Sequence, residues 1–574
     1  MHREMRDDGE RLVLSPTDLT RHLACGHITT LDLQVARGSR PKPGAADEAL
    51  ELIFRLGLEH EERYLARLTA EGRTVVELPT VFGHERQLAA EAETVRAMRS
   101  GADVVYQATL YDGRWGGQAD FLLKVDRPSE LGPHSYEIAD TKLARRMKVP
   151  ALLQMATYAE RLAELQGVEP ERIYVVTGDG VSRPWRLVDV AAYARRARAR
   201  LRAAVEHPAA TEPVPVPYCA QCRWSPECQQ QWRENDDLSL VAFMRVDHRI
   251  TLHDNGFRTL RALAECDPAE LRGIGASSRQ RLQAQAALQL TERRTGRPHY
   301  ELLEPAAGRG LLRLPPPSDG DVYLDFEGDP YADEGEGREY LAGLGDRHGG
   351  FTALWAHSRV AEKRLVEDLI DDLLARWARD PGMHVYHYAP YETTALKRMA
   401  ARHGTRESEL DQLLRGERFV DLYAVVRQGL RISKPSYSIK KLEAFYWGGV
   451  RGTTPDVADA MSSVLAYERW LVEPEEKILA DIEAYNRDDV RSTHDLHAWL
   501  EDRRAELEAS GGEQPRPHDQ PEQPKPLGEA ELAELALADR LRAGGQRLLA
   551  DLVQWHRREL RPQWWEVFRR EELL

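Results

Sequence analysis

Along residues 103–125, DVVYQATLYDGRWGGQADFLLKV, polar and apolar positions alternate on both sides of Asp112-Gly113. A period of two about an Asp-Gly pair predicts a β-hairpin with a tight turn. SYEIADTKL (135–143) predicts the next strand, and QMATY (154–158) falls in a helix that sets Gln154 and Tyr158 one turn apart. GLEH places His60 in an earlier helix, and residues 240–295 read as short helices. Strand-like alternation returns in DVYLDFEGDPY (321–331). After it come HVYHYAPYETTALKRM (384–399), a strand running into a helix, then RFVDLYAVVR, SYSIKKLEAFY and the helical AYNRDDVRSTHDL (484–496).

Three stretches interrupt these patterns: HPAATEPVPVP (207–217), LPPPSDGD (314–321) and GGEQPRPHDQPEQPKPLG (511–528). The last is rich in Pro and Gln, with too little apolar surface to order itself. The expected organisation is an α/β multidomain chain. It has an N-terminal domain over 1–235, a small all-α module over 236–310, a third domain over 318–503, a disordered linker over 504–528 and a helical tail over 529–574.

Composition narrows the class. The 574 residues are 30% charged and 42% hydrophobic, which suits a soluble globular chain of several domains. No apolar run approaches the ~18 residues that cross a bilayer, and MHREMRDDGE has charges where a secretory signal needs an apolar stretch. The expectation is a cytoplasmic protein without membrane contact. Five cysteines are too few for a disulfide framework and read as metal ligands or core thiols. A net charge of -15 argues against a protein that coats nucleic acid by bulk charge. It does not exclude a nuclease, whose metal-holding carboxylates lower the net charge while phosphate contact needs only a local basic track. Lys142, Arg145, Arg146 and Lys148 form one such track; Arg195, Arg196, Arg198, Arg200 and Arg202 form another, which reads as a solvated helix face.

In the N-terminal domain, Asp140 and Lys142 stand two apart on one strand and leave the same face, with Asp120 on the strand before. Two acids that hold Mg²⁺ or Mn²⁺ and a lysine beside the attacking water suit phosphodiester hydrolysis. Asp-x-Lys alone is a common surface pair. In order with His60, Gln154 and Tyr158, it resembles the RecB-type PD-(D/E)xK nucleases and so implies a restriction-endonuclease-like fold. That resemblance implies His60, Asp120 and Asp140 as metal ligands, Lys142 as catalytic, and Gln154 and Tyr158 as substrate-positioning residues.

CAQCRWSPEC holds Cys219, Cys222 and Cys228, and Cys25 lies far upstream. Four thiolates are enough for a 4Fe-4S cluster; a structural zinc site is the alternative, although zinc more often uses paired C-x2-C units. The one-plus-three arrangement resembles the iron–sulfur nucleases of the AddB and CRISPR-adaptation type, in which the cluster ties both ends of the nuclease domain together. Cys266 reads as a small core residue. In the middle module, Gly273-Ile274-Gly275 between helical stretches resembles a helix-hairpin-helix unit. Its backbone N–H groups, with Arg279 and Arg281, would hold DNA phosphates; an ordinary tight helix turn has the same string.

In the third domain, Asp325 and Glu327 share one strand face, Glu392 stands at a helix start, and Tyr485 and Asp489 are one helical turn apart. Four acids so arranged can hold two Mg²⁺ ions. The order resembles the DEDD exonucleases of the RNase H-like fold, the YprB-type branch in particular. It implies Asp325, Glu327, Glu392 and Asp489 as metal ligands and Tyr485 as the group orienting the water. Glu392 stands where that family usually has Asp, which makes for a looser cage or a lost activity. Asp421 reads as structural, and Asp488 as pointing about 100° away from Asp489.

The tail VQWHRRELRPQWWEVFRR is aromatic and basic: Trp555, Trp564, Trp565 and Phe568 suit base stacking or a packed helical hairpin. No G-x4-GK[ST] occurs, so a helicase motor, common beside RecB-like domains, is expected on a partner if anywhere. The resulting expectation is a metal-dependent DNA nuclease with a RecB-like site and a DEDD-type 3′→5′ exonuclease-like site, in repair, recombination or defence. The alternatives are a non-catalytic iron–sulfur DNA-binding adaptor that recruits a helicase, and an RNA-processing exonuclease.

Overall fold

A computed structural model of the chain describes residues 5–7, 11–44, 48–144, 147–448, 451, 457–511, 514–517, 528–553, 555–556, 559–560, 563–565 and 567. Arg145, Arg146 and Phe568 lie outside them. Internal contacts divide the chain into two units. One comprises Met1–Leu240, Met244–Thr259 and Pro330–Gly337; the other comprises Val241–Phe243, Leu260–Asp329 and Arg338–Leu574.

The first unit is built on a six-stranded mixed sheet. Its elements are α1 (Pro16–Ala24), α2 (Gly26–Ala36), α3 (Glu48–Ala70), β1 (Val75–Glu77), α4 (His84–Arg99), β2 (Val104–Tyr111), β3 (Gly116–Val125), β4 (Ser135–Thr141), α5 (Val149–Gln166), β5 (Arg172–Val176), β6 (Ser182–Arg186), α6 (Val188–Glu206), α7 (Ser225–Glu234) and α8 (Val246–Asp254). The strands lie in sequence order. β2, β3 and β4 form an antiparallel meander, while β1 runs parallel to β2 and β5 parallel to β4. The hairpin turns at Gly113 (φ +86°), where the Asp112 carboxylate accepts the N–H of Arg114 and Trp115. α5 makes the crossover that a parallel pair requires. It has Pro150 in its first turn and Gly167 in the left-handed conformation at its end, and it buries Leu152, Met155, Ala159 and Leu162. Every residue of β4 is buried, so the strand with the Asp-x-Lys pair runs through the centre of the unit.

The second unit contains α9 (Leu260–Glu265), α10 (Ala276–Thr295), β7 (Val322–Asp329), β8 (Arg338–Asp346), β9 (Phe351–Trp355), α11 (Arg359–Arg379), β10 (Val385–His387), α12 (Tyr391–His403), α13 (Glu407–Arg415), β11 (Phe419–Asp421), α14 (Leu422–Gly429), α15 (Ile439–Tyr446), α16 (Ala460–Val472), α17 (Glu476–Gly511), α18 (Glu529–Ala543) and α19 (Arg547–Leu552). Its sheet has the order β9-β8-β7-β10-β11, with β7, β8 and β9 antiparallel and β10 and β11 parallel to β7. α17 lies against β7 and β8.

Two boundaries differ from the sequence expectation. The helical stretch 236–310 is not a separate unit: α8 belongs to the first unit, and α9 and α10 to the second. α10 is fixed there by Gln285, which donates to the Ile432 carbonyl at 2.9 Å, and by Gln289, which accepts the Ala242 N–H at 3.0 Å. Nor does the linker begin at 504, because α17 runs to Gly511. Fully buried Arg504 donates to the carbonyls of Leu311 and Gln514, which satisfies a charged group that the hydrophobic pattern would leave in solvent. Arg516 folds back onto Glu501 at 2.6 Å. Among the described residues, no helix is long and apolar enough to cross a membrane.

Candidate functional site

On the central strand of the second unit, alternation sends Asp325 and Glu327 out of one face of β7. α17 crosses that face with Tyr485, Asn486 and Asp489 on the turn that meets it. The ligand atoms of Asp325, Glu327 and Asp489 all lie within 4.8 Å of one another. Buried Asn486 donates to Asp325 Oδ2 at 2.7 Å and so fixes that carboxylate. The charges are mutually unfavourable. Burial, then the charges of Asp489, Glu327 and Glu392, push the Asp325 carboxyl well above its usual range. Burial and the charge of Asp489 push Glu327 up to about 8, with hydrogen bonds from Ser463 and Asn486 and the Lys440 ammonium opposing. Tyr485 is raised by burial and by the charges of Asp489, Glu327 and Asp325, so its phenol keeps its proton.

The expected fourth ligand, Glu392, stands outside this group of three. It sits in the first turn of α12 and turns toward His387 of β10, whose Nδ1 is 3.4 Å from Glu392 Oε2. Its charge still reaches Asp325. Asp421 caps α14, accepting the N–H of Tyr423 and of Ala389, so it is structural. Asp488 is not part of the group. Several partners of the site went unassigned in the sequence: Asn486, Lys440, Ser463 and Arg451, the last of which holds Asp489 Oδ1 at 2.6 Å and also pairs with Glu443. Asn486 had a readable signal, since it adjoins Tyr485 and stands three residues before Asp489 on the same helix.

Gly343 of β8 lies beneath this corner. A Cβ there would come within 1.8 Å of Asn486 Oδ1. Gly343→Ala is therefore expected to dislodge Asn486, lower stability by about 2 kcal/mol and weaken Mn²⁺ binding about 10-fold. Thermal melts and calorimetric Mn²⁺ titration of the variant would read both; an unchanged Mn²⁺ affinity would remove Asn486 from the site.

In the first unit, Asp120 on β3 and Asp140 on β4 lie within hydrogen-bonding reach of each other. Lys142 Nζ is 2.6 Å from Asp140 Oδ2, and the Thr141 N–H donates to Asp120 Oδ2 at 3.2 Å. Burial, then the neighbouring Asp140 and Glu61 charges, raise Asp120 well above the carboxylate range, and the opposing Lys142 does not offset them. Glu61, unassigned in the sequence, belongs to this cluster: its carboxylate accepts from Gln107 and feels the charges of Asp140 and Lys142. Gln107 lies opposite Asp120 in the β2–β3 register and has a left-handed backbone (φ 57°), a strained position of the kind that collects at functional sites. His60, one residue earlier on α3, places its Nε2 3.3 Å from the Val176 carbonyl, and it forms no group of three close ligand atoms with Asp120 and Asp140. Tyr158 of α5 covers Gly117, where a Cβ would lie 2.5 Å from its hydroxyl, and its charge couples to Lys142. Gln154 is half-buried one turn earlier.

The four distant cysteines also converge. Cys25 sits between α1 and α2, Cys219 in the turn at Pro217–Gln221, Cys222 directly after it, and Cys228 on α7, and all four line one pocket with Trp224 and Trp232. Burial and the mutual charges of the thiols raise Cys222, and raise Cys228 to about 12. Asp32 of α2 holds the segment in place by accepting from Trp224 Nε1 and Arg223, both at 2.7 Å. No three of the sulfurs lie mutually within 4.8 Å. A tetrahedral zinc with bonds of about 2.3 Å requires sulfurs about 3.8 Å apart.

Gly273 has φ +76°, a conformation that glycine takes without strain. Gly275 caps α10, with nothing within 4 Å of where a Cβ would lie, and buried Ile274 pins the turn between them. Arg279 is half-buried one turn into α10, and Arg281 is exposed. On α6 the arginines are exposed apart from Arg198, which pairs with Glu160 and stacks on Trp115 at 4.6 Å. In the tail, Trp565 is a core residue whose Nε1 donates to Asp411 at 3.2 Å, while Trp555 and Trp564 are exposed. Cys266 is half-buried.

No curated protein matches the chain. The RNase_H superfamily model RNase_H_2 matches residues 322–501, the stretch that runs from β7 into α17 and carries the Asp325, Glu327 and Asp489 carboxylates, and this part of the chain is an RNase H-like domain.

Proposed function

We propose that the protein is a metal-dependent DNA nuclease with two hydrolytic sites. The observation that carries this reading is the gathering of Asp325, Glu327 and Asp489 within 4.8 Å inside the RNase H-like domain. The donor set fits Mg²⁺ or Mn²⁺: three hard oxygen donors, two of them pushed toward protonation by burial and by the neighbouring carboxylate charges, which a cation offsets. Octahedral bonds of about 2.1 Å place ligand oxygens about 3–4 Å apart, within that span. Such an ion would lower the pKa of water and neutralise the phosphate charge that builds during displacement. The residues of the chain do the rest. Asn486 holds the Asp325 carboxylate in one orientation, and Tyr485, protonated beside Asp489, offers an O–H to orient the attacking water. Glu392 follows the second DEDD motif by resemblance, which also implies 3′→5′ polarity.

For the first unit the proposal is a RecB-like site of Asp120, Asp140 and Lys142. The strand–strand–strand–helix–strand order from β2 to β5 supports it, as do the coupled carboxyls. Glu61 joins this cluster beside them. The four cysteines would hold a 4Fe-4S cluster, a reading supported by their separation and by the apolar walls around them. The turn at Gly273 and Gly275 supports phosphate contact; DNA with single strands or free ends as the substrate, and a helicase as a partner, follow from the resemblance. The adaptor reading draws on two observations: Arg451 occupies Asp489, and His387 occupies Glu392.

Mn²⁺-dependent degradation of single-stranded DNA, duplex DNA and RNA by wild type, Lys142→Ala, Asp325→Ala and the double variant tests this directly. Each single variant is expected to lose one component of the activity and the double variant all of it. Activity that survives in the double variant, or no activity in the wild type, would overturn the proposal and in the second case favour the adaptor.

A further inference from the structure

Lys440 lies one residue into α15, on an element with no assigned part in the chemistry, yet its side chain ends inside the second site. Its Nζ is 3.1 Å from the Tyr485 hydroxyl oxygen and 2.8 Å from the Ala458 carbonyl, and it lies over the Tyr485 ring at 4.8 Å from the centroid. The contact with Tyr485 has a fixed polarity. An ammonium group only donates, so the phenolic oxygen must accept from it. The single proton of that oxygen is then turned away from Lys440. Asp489 lies on the other side, one helical turn along α17 and within hydrogen-bonding reach of the same hydroxyl. The result is a directed chain, Lys440 to Tyr485 to the carboxylate group, in which each donor is assigned by chemistry.

We propose that Lys440 is a positioning residue of the second site: by donating to the Tyr485 oxygen it fixes the phenolic O–H on the carboxylate cluster, where the attacking water must sit. The inference rests on the reading of Asp325, Glu327 and Asp489 as a hydrolytic site. Without Lys440 the hydroxyl rotor has two faces to choose from, and the ring loses the cation that holds it from one side. The Ala458 carbonyl is the second anchor and keeps the ammonium from following the substrate phosphate. Lys440 therefore acts on the water through Tyr485, beside the effect of its charge on Glu327.

The test uses the full chain in a Lys142→Ala background, which silences the first site, with Mn²⁺ and a single-stranded DNA substrate. Four variants of that background are compared: unaltered, Lys440→Met, Tyr485→Phe, and the two combined, with Lys440→Arg as the conservative control. Lys440→Met is expected to lower kcat about 10- to 100-fold with little change in KM. The combined variant should be no slower than Tyr485→Phe alone, because both changes remove one interaction. Lys440→Arg should recover part of the rate, and all variants should bind Mn²⁺ and melt as the background does. A rise in KM at constant kcat, or losses that multiply in the combined variant, would overturn the proposal. If Tyr485→Phe and Asp325→Asn both leave degradation unchanged, the hydrolytic reading of the site falls, and the role of Lys440 with it.

Discussion

Asp325→Asn is expected to make the metal-free protein more stable while it removes activity at the second site by about 10³-fold. The two effects have one cause. Three carboxylates share a corner that burial has stripped of water, and each charge disfavours the others. Asp325→Asn removes a carboxyl that burial and the charges of Asp489, Glu327 and Glu392 hold well above its usual range; Glu327, raised from 4.5 to about 8 by burial and the charge of Asp489, remains. A carboxyl whose folded pKa lies above its unfolded value stabilises the fold fully below the unfolded pKa. That contribution is lost as pH rises through the folded value. Metal-free wild type should therefore lose stability between about pH 4.5 and 8, and Asp325→Asn should flatten that decline and raise the melting temperature at pH 8 by on the order of 5 °C. Mn²⁺ should raise the wild-type melting temperature and leave the variant unmoved. Melting curves across pH with and without Mn²⁺ check all three; a variant that melts lower than wild type at pH 8 would mean that the carboxylates are not in conflict.

The second large effect is expected at the cysteines. Cys25 is the remote member of the four, 194 residues before Cys219. If one group binds all four thiolates, it closes that span, and a closure of this length restricts the unfolded chain by about 5 kcal/mol. Cys25→Ser opens the span even if the other three thiolates keep their group. The expected result is a fall in melting temperature on the order of 10 °C. Protein purified without oxygen should show bound iron and a broad visible absorption, weakened in the variant. Bound zinc with no visible band would replace the cluster with a structural zinc site. An unchanged melting temperature and no bound metal would reduce the cysteines to ordinary thiols.

The parts of both sites that could be read in the sequence are those where spacing along one element fixes direction. Asp325 and Glu327 had to share a face because a strand alternates, and Tyr485 and Asp489 had to share a helix side four residues apart. Asp120 and Asp140 were placed by the hairpin and the strand after it. The positions that spacing alone does not give are those where the third dimension decides. α3 is polar on most of its surface, so its sequence does not say that Glu61 faces the carboxylates while His60 meets a backbone carbonyl. Glu392 reads as a ligand by order alone, but its partner His387 sits on the neighbouring strand end. Arg504, Gln285 and Gln289 are polar residues in buried positions, satisfied by carbonyls and amides brought from far along the chain. A hydrophobicity pattern counts them as surface, and so it ended α17 too early and detached α10 from the fold.

The unbroken course of α17 limits which changes in length natural variants of this chain can tolerate. Asp489 in the first half of the helix and Arg504 nearer its end are both held by tertiary partners, fifteen residues apart on one rigid spiral. Inserting or deleting a single residue between them would swing one anchor by about 100° relative to the other. Relatives that lengthen or shorten this stretch should do so by about seven residues, two full turns, and tolerate one-residue slips only beyond Gly511.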